Sequence, residues 1–278
     1  MSRFVIAQIS DLHCGSLLYD PDLLEAAVGE IRALQPDLVV VAGDLTEFGY
    51  ASEFQEAHGA LRPLMEELTT IVIPGNHDSK NVGYVHFQDY FGKGDASGKS
   101  DRVLHMARES SPSRISVVAM DSSKPDLAEG EIGRERYEWI REQFSVPADF
   151  RIFCLHHHLV PVPGTGRERN IVWDAGDVMA LLEDREVNLV LSGHKHVPHV
   201  WEMAGILIVN SGTASSYRLR GYTRPSYNVI HVDEGAIDVA LIYPGTGERR
   251  AASYLRYERR LDRNPDLAGM FSKATWSW

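Results

Sequence analysis

The sequence predicts an α/β fold, and two observations carry that reading. Short apolar runs rich in Val and Ile recur along the chain, each closed by turn residues, as strands buried on both faces should be. Between them lie stretches with apolar residues at helical spacing, so strands and helices alternate. The runs Phe4–Ile9, Leu38–Ala42, Thr70–Ile73, Ile115–Met120, Ile152–Leu155 and Leu189–Leu191 are the expected strands.

The helices have their own signals. Asp20-Pro21 is a cap and first-turn proline for a helix through about Leu34. Ser52-Glu53-Phe54-Gln55 fits a capping box opening a helix that reaches the region of Pro63. Arg134–Phe144 and Asp174–Glu186 supply two more. Past residue 198 the texture changes: Val200–Met203, Ile206–Val209, Tyr227–Val232 and Ile237–Tyr243 read as successive strands with turns at Ala204-Gly205 and Glu234-Gly235. That pattern predicts a second, more antiparallel sheet packed on the first. Ala251–Trp278 mixes charge with Tyr254, Tyr257, Phe271, Trp276 and Trp278. We therefore expect one domain over 1–250 and an arm over 251–278, packed on that domain or on a partner.

At 278 residues the chain can bury a sizeable core as one domain. A hydrophobic content of 44% and a charged content of 24% are those of an ordinary globular protein. The net charge of −11 argues against a broad electrostatic grip on nucleic acid. It leaves a phosphate substrate open, because bound cations can supply local positive charge. Cys14 and Cys154 are too few for a disulfide framework. Phe4–Ile9 is short for a signal-peptide core, and no window approaches ~18 apolar residues, so a leader and a membrane span are not expected. The default expectation is a cytoplasmic protein, with the aromatic tail and Trp201 leaving room for a homo-oligomer interface.

Chemistry gathers where the apolar runs stop. They lead into Asp11-Leu12-His13, Gly43-Asp44, Gly75-Asn76-His77-Asp78, Asp121, His156-His157-His158 and Gly193-His194-Lys195-His196. Ligands of open α/β sheets bind outside the carboxyl ends of the strands. Asp, Asn and His gathered there would be costly to desolvate unless something binds them, and a cation is the natural partner. Asp11, His13, Asp44, Asn76, His156, His194 and His196 are too many donors for one tetrahedral site, which favours two ions. Asp11-x-His13 and His194-x-His196 would each chelate from one face of an extended segment. Asp44 could bridge, and Asn76 adds a neutral oxygen. Donors without thiolate accommodate Mn, Fe, Zn or Co.

These blocks, in this order over residues 11–196, resemble the calcineurin-like metallophosphoesterases. The resemblance implies a four-layer fold, two mixed β-sheets packed as a sandwich and flanked by helices. It also implies that Asp11, His13, Asp44 and His196 hold one metal and Asp44, Asn76, His156 and His194 the other. The family commonly shows two histidines followed by prolines, whereas here three histidines run together and Pro161 comes later. His156 directly follows its strand and is the preferred ligand, with His157 the alternative and His158 then directed at substrate.

A metal-bridging hydroxide would attack phosphorus, and His77, next to Asn76, would hydrogen-bond a phosphoryl oxygen or protonate the leaving oxygen. Asp78 and Asp121 are expected to orient histidine rings. Arg167 and Arg169, in a Gly-rich stretch from Pro161 to Asn170, are candidate substrate contacts, and Tyr217, Arg218 and Arg220 a possible wall. Length and motif pattern look closest to the cyclic-nucleotide and glycerophosphodiester phosphodiesterase branch, so a small phosphodiester is the expected substrate. A phosphomonoesterase or broad phosphatase is the alternative. A catalytically silent metal-binding scaffold should show gaps in the ligand set, and there are none.

Overall fold

Strands and helices alternate as expected and build two mixed sheets with helices on their outer faces. The computed structural model describes residues 3–94, 98–165, 170–220, 223–247 and 249–263. In chain order these form β1 (Phe4–Ile9), α1 (Pro21–Leu34), β2 (Leu38–Ala42), α2 (Ala51–Glu67), β3 (Thr70–Ile73), α3 (Gly83–Phe91), β4 (Arg102–Ala107) and β5 (Arg114–Met120). There follow α4 (Tyr137–Ser145), β6 (Phe150–Leu155), α5 (Ala175–Asp184), β7 (Leu189–Ser192), β8 (His199–Met203) and β9 (Ile206–Asn210). The last strands are β10 (Tyr227–Val232), β11 (Ala236–Ile242), β12 (Arg249–Leu255) and β13 (Arg260–Arg263). One sheet has seven strands in the order β13-β12-β11-β10-β1-β2-β3, the other six in the order β4-β5-β6-β7-β9-β8. Among the described residues no helix is long and apolar enough to cross a membrane.

The continuous apolar runs follow from burial on both faces. In β2, Leu38, Val40 and Ala42 face the second sheet, while Val39 and Val41 face the layer that includes Leu24, Ile31, Phe54 and Leu61 of α1 and α2. In β6, Phe150, Ile152 and Cys154 face the first sheet, and Phe153 and Leu155 pack under Ile140, Phe144 and Leu182 of α4 and α5. Alternate side chains of each strand thus serve different layers, which sets the order helix, sheet, sheet, helix.

The strands past residue 198 do not form a sheet of their own. β8 and β9 extend the parallel set β5-β6-β7, and β10 pairs antiparallel with β1, followed by β11, β12 and β13. Each parallel set otherwise ends in an edge strand whose N–H and C=O groups lack partners, and these late strands supply them. Residue 250 falls inside β12, and the described part of the expected arm, to residue 263, is sheet; residues 264–278 lie outside the described residues. α2 starts earlier than the Ser52 signal implies, because the Glu53 carboxylate accepts from the Phe48 and Tyr50 amides at 2.8 and 3.3 Å. It also runs through Pro63, and the carbonyl deprived of its donor belongs to exposed Gly59, where water can serve.

One polar link crosses the apolar layer between the sheets. Gln8 of β1 donates to the carbonyls of Ser192 and Val209 at 2.9 and 3.3 Å, and its oxygen accepts from Asn228 at 3.0 Å. All are buried, so they constrain the mutual position of the sheets just below the ends of β1 and β7. Replacing Gln8 by Leu leaves the Asn228 amide without this acceptor. We expect a loss of about 1–3 kcal/mol in urea denaturation; an unchanged midpoint would show that the link does not hold the sheets.

Candidate metal centre

The carboxyl ends of β1, β2 and β3 on one sheet, and of β6 and β7 on the other, deliver the donor residues to a common place. The backbone there is not extended. Asp11 (φ 55°), His13 (φ 55°), Asp44 (φ 52°), His194 (φ 73°) and His196 (φ 56°) all adopt left-handed conformations. The two residue pairs expected to chelate from extended segments instead have left-handed backbone, and His194 and His196 turn to different donor groups. Such conformations cost free energy in non-glycine residues and persist where surrounding contacts enforce them. The preceding glycines allow the close approach. A Cβ at Gly193 would lie 1.9 Å from Ser10 Oγ, and one at Gly75 would lie 2.1 Å from Asp44 Oδ1.

His77 closes a group of its own with His13 and Asp44, and the expected donors form two groups, with Asp44 facing a histidine of each. In one, His13 Nε2 and His196 Nε2 are 2.9 Å apart, Asp11 Oδ1 is 3.2 Å from His196 Nε2, and Asp44 Oδ2 is 3.9 Å from His13 Nε2. In the other, Asp44 Oδ2 is 3.3 Å from His156 Nε2, and His194 Nδ1 lies 3.2 Å from His156 Nε2 and 2.9 Å from Asn76 Oδ1. Asp11, His13 and His196, and likewise Asp44, His156 and His194, offer ligand atoms within 4.8 Å of one another. All are buried.

The far nitrogens show that these rings suit a cation. His156 Nδ1–H donates to the Ala42 carbonyl at 2.7 Å, His196 Nδ1–H to the Arg218 carbonyl at 2.5 Å, and His13 Nδ1 meets Glu47 Oε2 at 2.9 Å. With the proton held at Nδ1 of His156 and His196, their Nε2 atoms keep lone pairs, and the nitrogens of His196 and His13 facing across 2.9 Å repel unless a cation or proton lies between them. Burial pushes His13 and His194 below the ordinary histidine value, so both suit the neutral state of a ligand. Burial also pulls on His156, but the Asp44 charge and hydrogen bond outweigh it and raise the ring to about 9.

His156, not His157, is the histidine brought to Asp44. His157 is held elsewhere, with Nδ1 2.8 Å from Ser122 Oγ and Nε2 3.2 Å from the Ala128 carbonyl. His158, expected to meet substrate, is fully buried with its ring stacked on His194 at 5.6 Å, so it has no surface to offer one. His77 donates its amide to Asp44 Oδ1 at 2.8 Å and is 9% exposed, more than any of the donors. Arg167 and Arg169 lie outside the described residues.

Asp78 and Asp121 do not orient histidine rings. Asp78 accepts from the amides of Leu45, Thr46 and Gly75 at 3.1, 2.9 and 2.8 Å, which locks the loop after β2 to the loop after β3. Burial, then the nearby Asp44 charge, raise it to about 7. Asp121 accepts from the amides of Ser100 and Ser123. Cys14 and Cys154 are packed in the apolar clusters, and burial pushes the Cys14 thiol up to about 12. The carboxylate that does hold a ring, Glu47, is absent from the sequence reading; its only signal is its place three residues after Asp44. Burial acts to raise Glu47, but His13, His77 and Arg218 outweigh it and hold it at about 2.

Replacing Gly75 by Ala should displace the Asp44 carboxylate and cut bound metal at least tenfold, measured by elemental analysis after dialysis. Wild-type metal content in a folded variant would show that Asp44 is not a donor.

The chain is similar to known proteins in sequence and in fold. Residues 4–198 match the calcineurin-like phosphoesterase family. A probable cyclic nucleotide phosphodiesterase of Synechococcus sp. is 27% identical over 204 residues, 69% of this chain and 72% of that one. A cAMP/cGMP dual specificity phosphodiesterase of Mycobacterium tuberculosis is 26% identical over 269 residues, 88% of this chain and 81% of that one. Among solved structures, a purple acid phosphatase from yellow lupin seeds superposes with a TM-score of 0.69 at 14% identity, over 100% of this chain and 57% of that one. The match spans every candidate donor from Asp11 to His196 and most of the chain: the chain belongs to the calcineurin-like phosphoesterase family.

Proposed function

We propose that this chain is a phosphodiesterase that works with two adjacent metal ions and acts on small phosphodiesters. The position of Asp44 carries the reading: one carboxylate is common to two groups of donors, as a bridging ligand must be. Asp11, His13, Asp44 and His196 would hold one ion, and Asp44, Asn76, His156 and His194 the other. Bound there, Mn, Fe, Zn or Co would supply a water acidic enough to attack near neutral pH and positive charge toward the phosphoryl oxygens. His77, beside Asn76 and the most exposed of the group, would hydrogen-bond a phosphoryl oxygen or protonate the leaving oxygen. The net charge of −11 disfavours a long polyanion. The names of the bacterial relatives support the diester reading, whereas the lupin structure, at 14% identity, speaks to fold alone.

The decisive assay compares bis-(p-nitrophenyl) phosphate with p-nitrophenyl phosphate, using apoprotein reloaded with each metal. Metal-dependent cleavage of the diester, abolished in Asp44→Ala, is the expected result; preference for the monoester would overturn the substrate class. His77→Ala should lower kcat by roughly 10²–10⁴ while retaining metal, and unchanged turnover would remove His77 from the mechanism. Metal uptake should also depend on pH. The His156 ring, raised to about 9, carries a proton below that pH, which an entering ion must displace. Apparent affinity should therefore rise with pH up to about 9. Calorimetric titration in two buffers of different ionisation enthalpy would reveal the released proton, and identical heats would contradict it.

A further inference from the structure

The two halves of the centre are oriented by different means. His156 is held by the Ala42 carbonyl, main chain at the end of β2 that no side-chain change removes. His196 is also held by a main-chain carbonyl, that of Arg218, whose side chain binds Glu47, whereas His13 faces a side chain, Glu47. Glu47 Oε2 takes the Nδ1 side of His13 at 2.9 Å, and the Arg218 carbonyl takes Nδ1 of His196 at 2.5 Å. The same two residues are joined to each other: Arg218 Nη1 donates to Glu47 Oε1 and Oε2 at 2.8 and 3.1 Å. Glu47 and Arg218 therefore close a chain that runs from one imidazole to the other, and the two Nε2 atoms so aimed lie 2.9 Å apart.

Arg218 is brought there by a built strap. Residues 213–218 run beside residues 10–20, which carry Asp11 and His13. Ala214 N–H donates to Ser10 O at 3.2 Å, and Thr213 Oγ1 to Asp11 O at 2.7 Å. Ser215 Oγ donates to Leu12 O at 3.1 Å, Asp20 N–H to Ser215 O at 2.8 Å, and Tyr217 N–H to Leu18 O at 2.8 Å. Glu47 is fixed on the other side, its N–H donating to Cys14 O at 3.0 Å.

We infer that Glu47 and Arg218 are positioning residues that set the affinity of the Asp11–His13–His196 half of the centre for its ion and leave the Asp44–Asn76–His156–His194 half unaffected. The inference rests on the two-ion reading above. A carboxylate on the far nitrogen of a ligating histidine fixes its tautomer and raises its basicity, and losing such a partner typically costs 10–100-fold in metal affinity. Arg218 holds that carboxylate in place from a side chain 43% exposed.

The test is titration of metal-free chain with Mn(II) alone, reading bound ions by equilibrium dialysis and the paired or isolated state of the ions by electron paramagnetic resonance. Wild type should take up two ions per chain and show a coupled-pair signal. Glu47→Ala should weaken one binding step by roughly 10–100-fold and show an isolated-ion signal at limiting metal, with the other step unchanged. Arg218→Ala should weaken the same step less, and Arg218→Lys should restore part of the loss. Added to His156→Ala, Glu47→Ala should weaken the remaining step again; added to His13→Ala, it should change nothing. Two unchanged steps in both Glu47→Ala and Arg218→Ala, or equal weakening of both steps, would overturn the inference. If Glu47→Ala fails to fold, Arg218→Ala decides alone. A wild type that binds no Mn(II) would instead sink the two-ion reading itself.

Discussion

Asp44 carries the carboxylate on which both halves of the centre close. It is buried, one oxygen accepts the His77 amide, and the other faces imidazole nitrogens of His156 and His13 at 3.3 and 3.9 Å. A carboxylate away from water is costly, and imidazole lone pairs aimed at one point repel each other. Positive charge among them removes both costs. In the metal-free chain protons supply that charge: burial resists ionisation of Asp44, yet the charges of His156 and His77 hold it well below the usual carboxylate range. The same place would accept metal ions in exchange for protons, which would couple metal binding to pH.

Meeting this requirement shapes the surrounding structure. The donors come from both sheets, so the sheets must dock in one register, and the Gln8–Ser192–Asn228 link lies just beneath the point where they meet. The backbone must turn sharply as each strand ends, which accounts for left-handed conformations at Asp11, His13, Asp44, His194 and His196 and for glycine at positions 75 and 193. Strain of this kind is held by neighbouring contacts. Asp78 ties the loops after β2 and β3 together, and Ser10 Oγ donates to Asp11 Oδ2 at 2.6 Å.

Orientation of the rings divides the centre in two. Where a strand carbonyl sets the tautomer, as for His156, the fold itself fixes the ligand. Where a charged side chain faces the ring, as Glu47 faces His13 Nδ1 at 2.9 Å, one substitution can remove the contact.

Much of this was legible in the residues. Valine-rich runs that end in Asp, Asn or His gave away the strands and the residues that cluster at their ends, because burial on both faces demands particular residue types and polar groups gather where strands stop. The order of the motifs pointed to the family for the same reason. What could not be read depended on contacts between residues distant in the chain. Which sheet takes β8–β9 and which takes β10–β13 is decided by the partners open edges need. The choice of His156 over His157 is decided by which ring finds Ala42 and which finds Ser122 and Ala128. Glu47, 34 positions after His13, carries no motif at all. Its role exists only because folding sets its carboxylate beside His13 and Arg218, and proximity of that kind is a property of the tertiary structure alone.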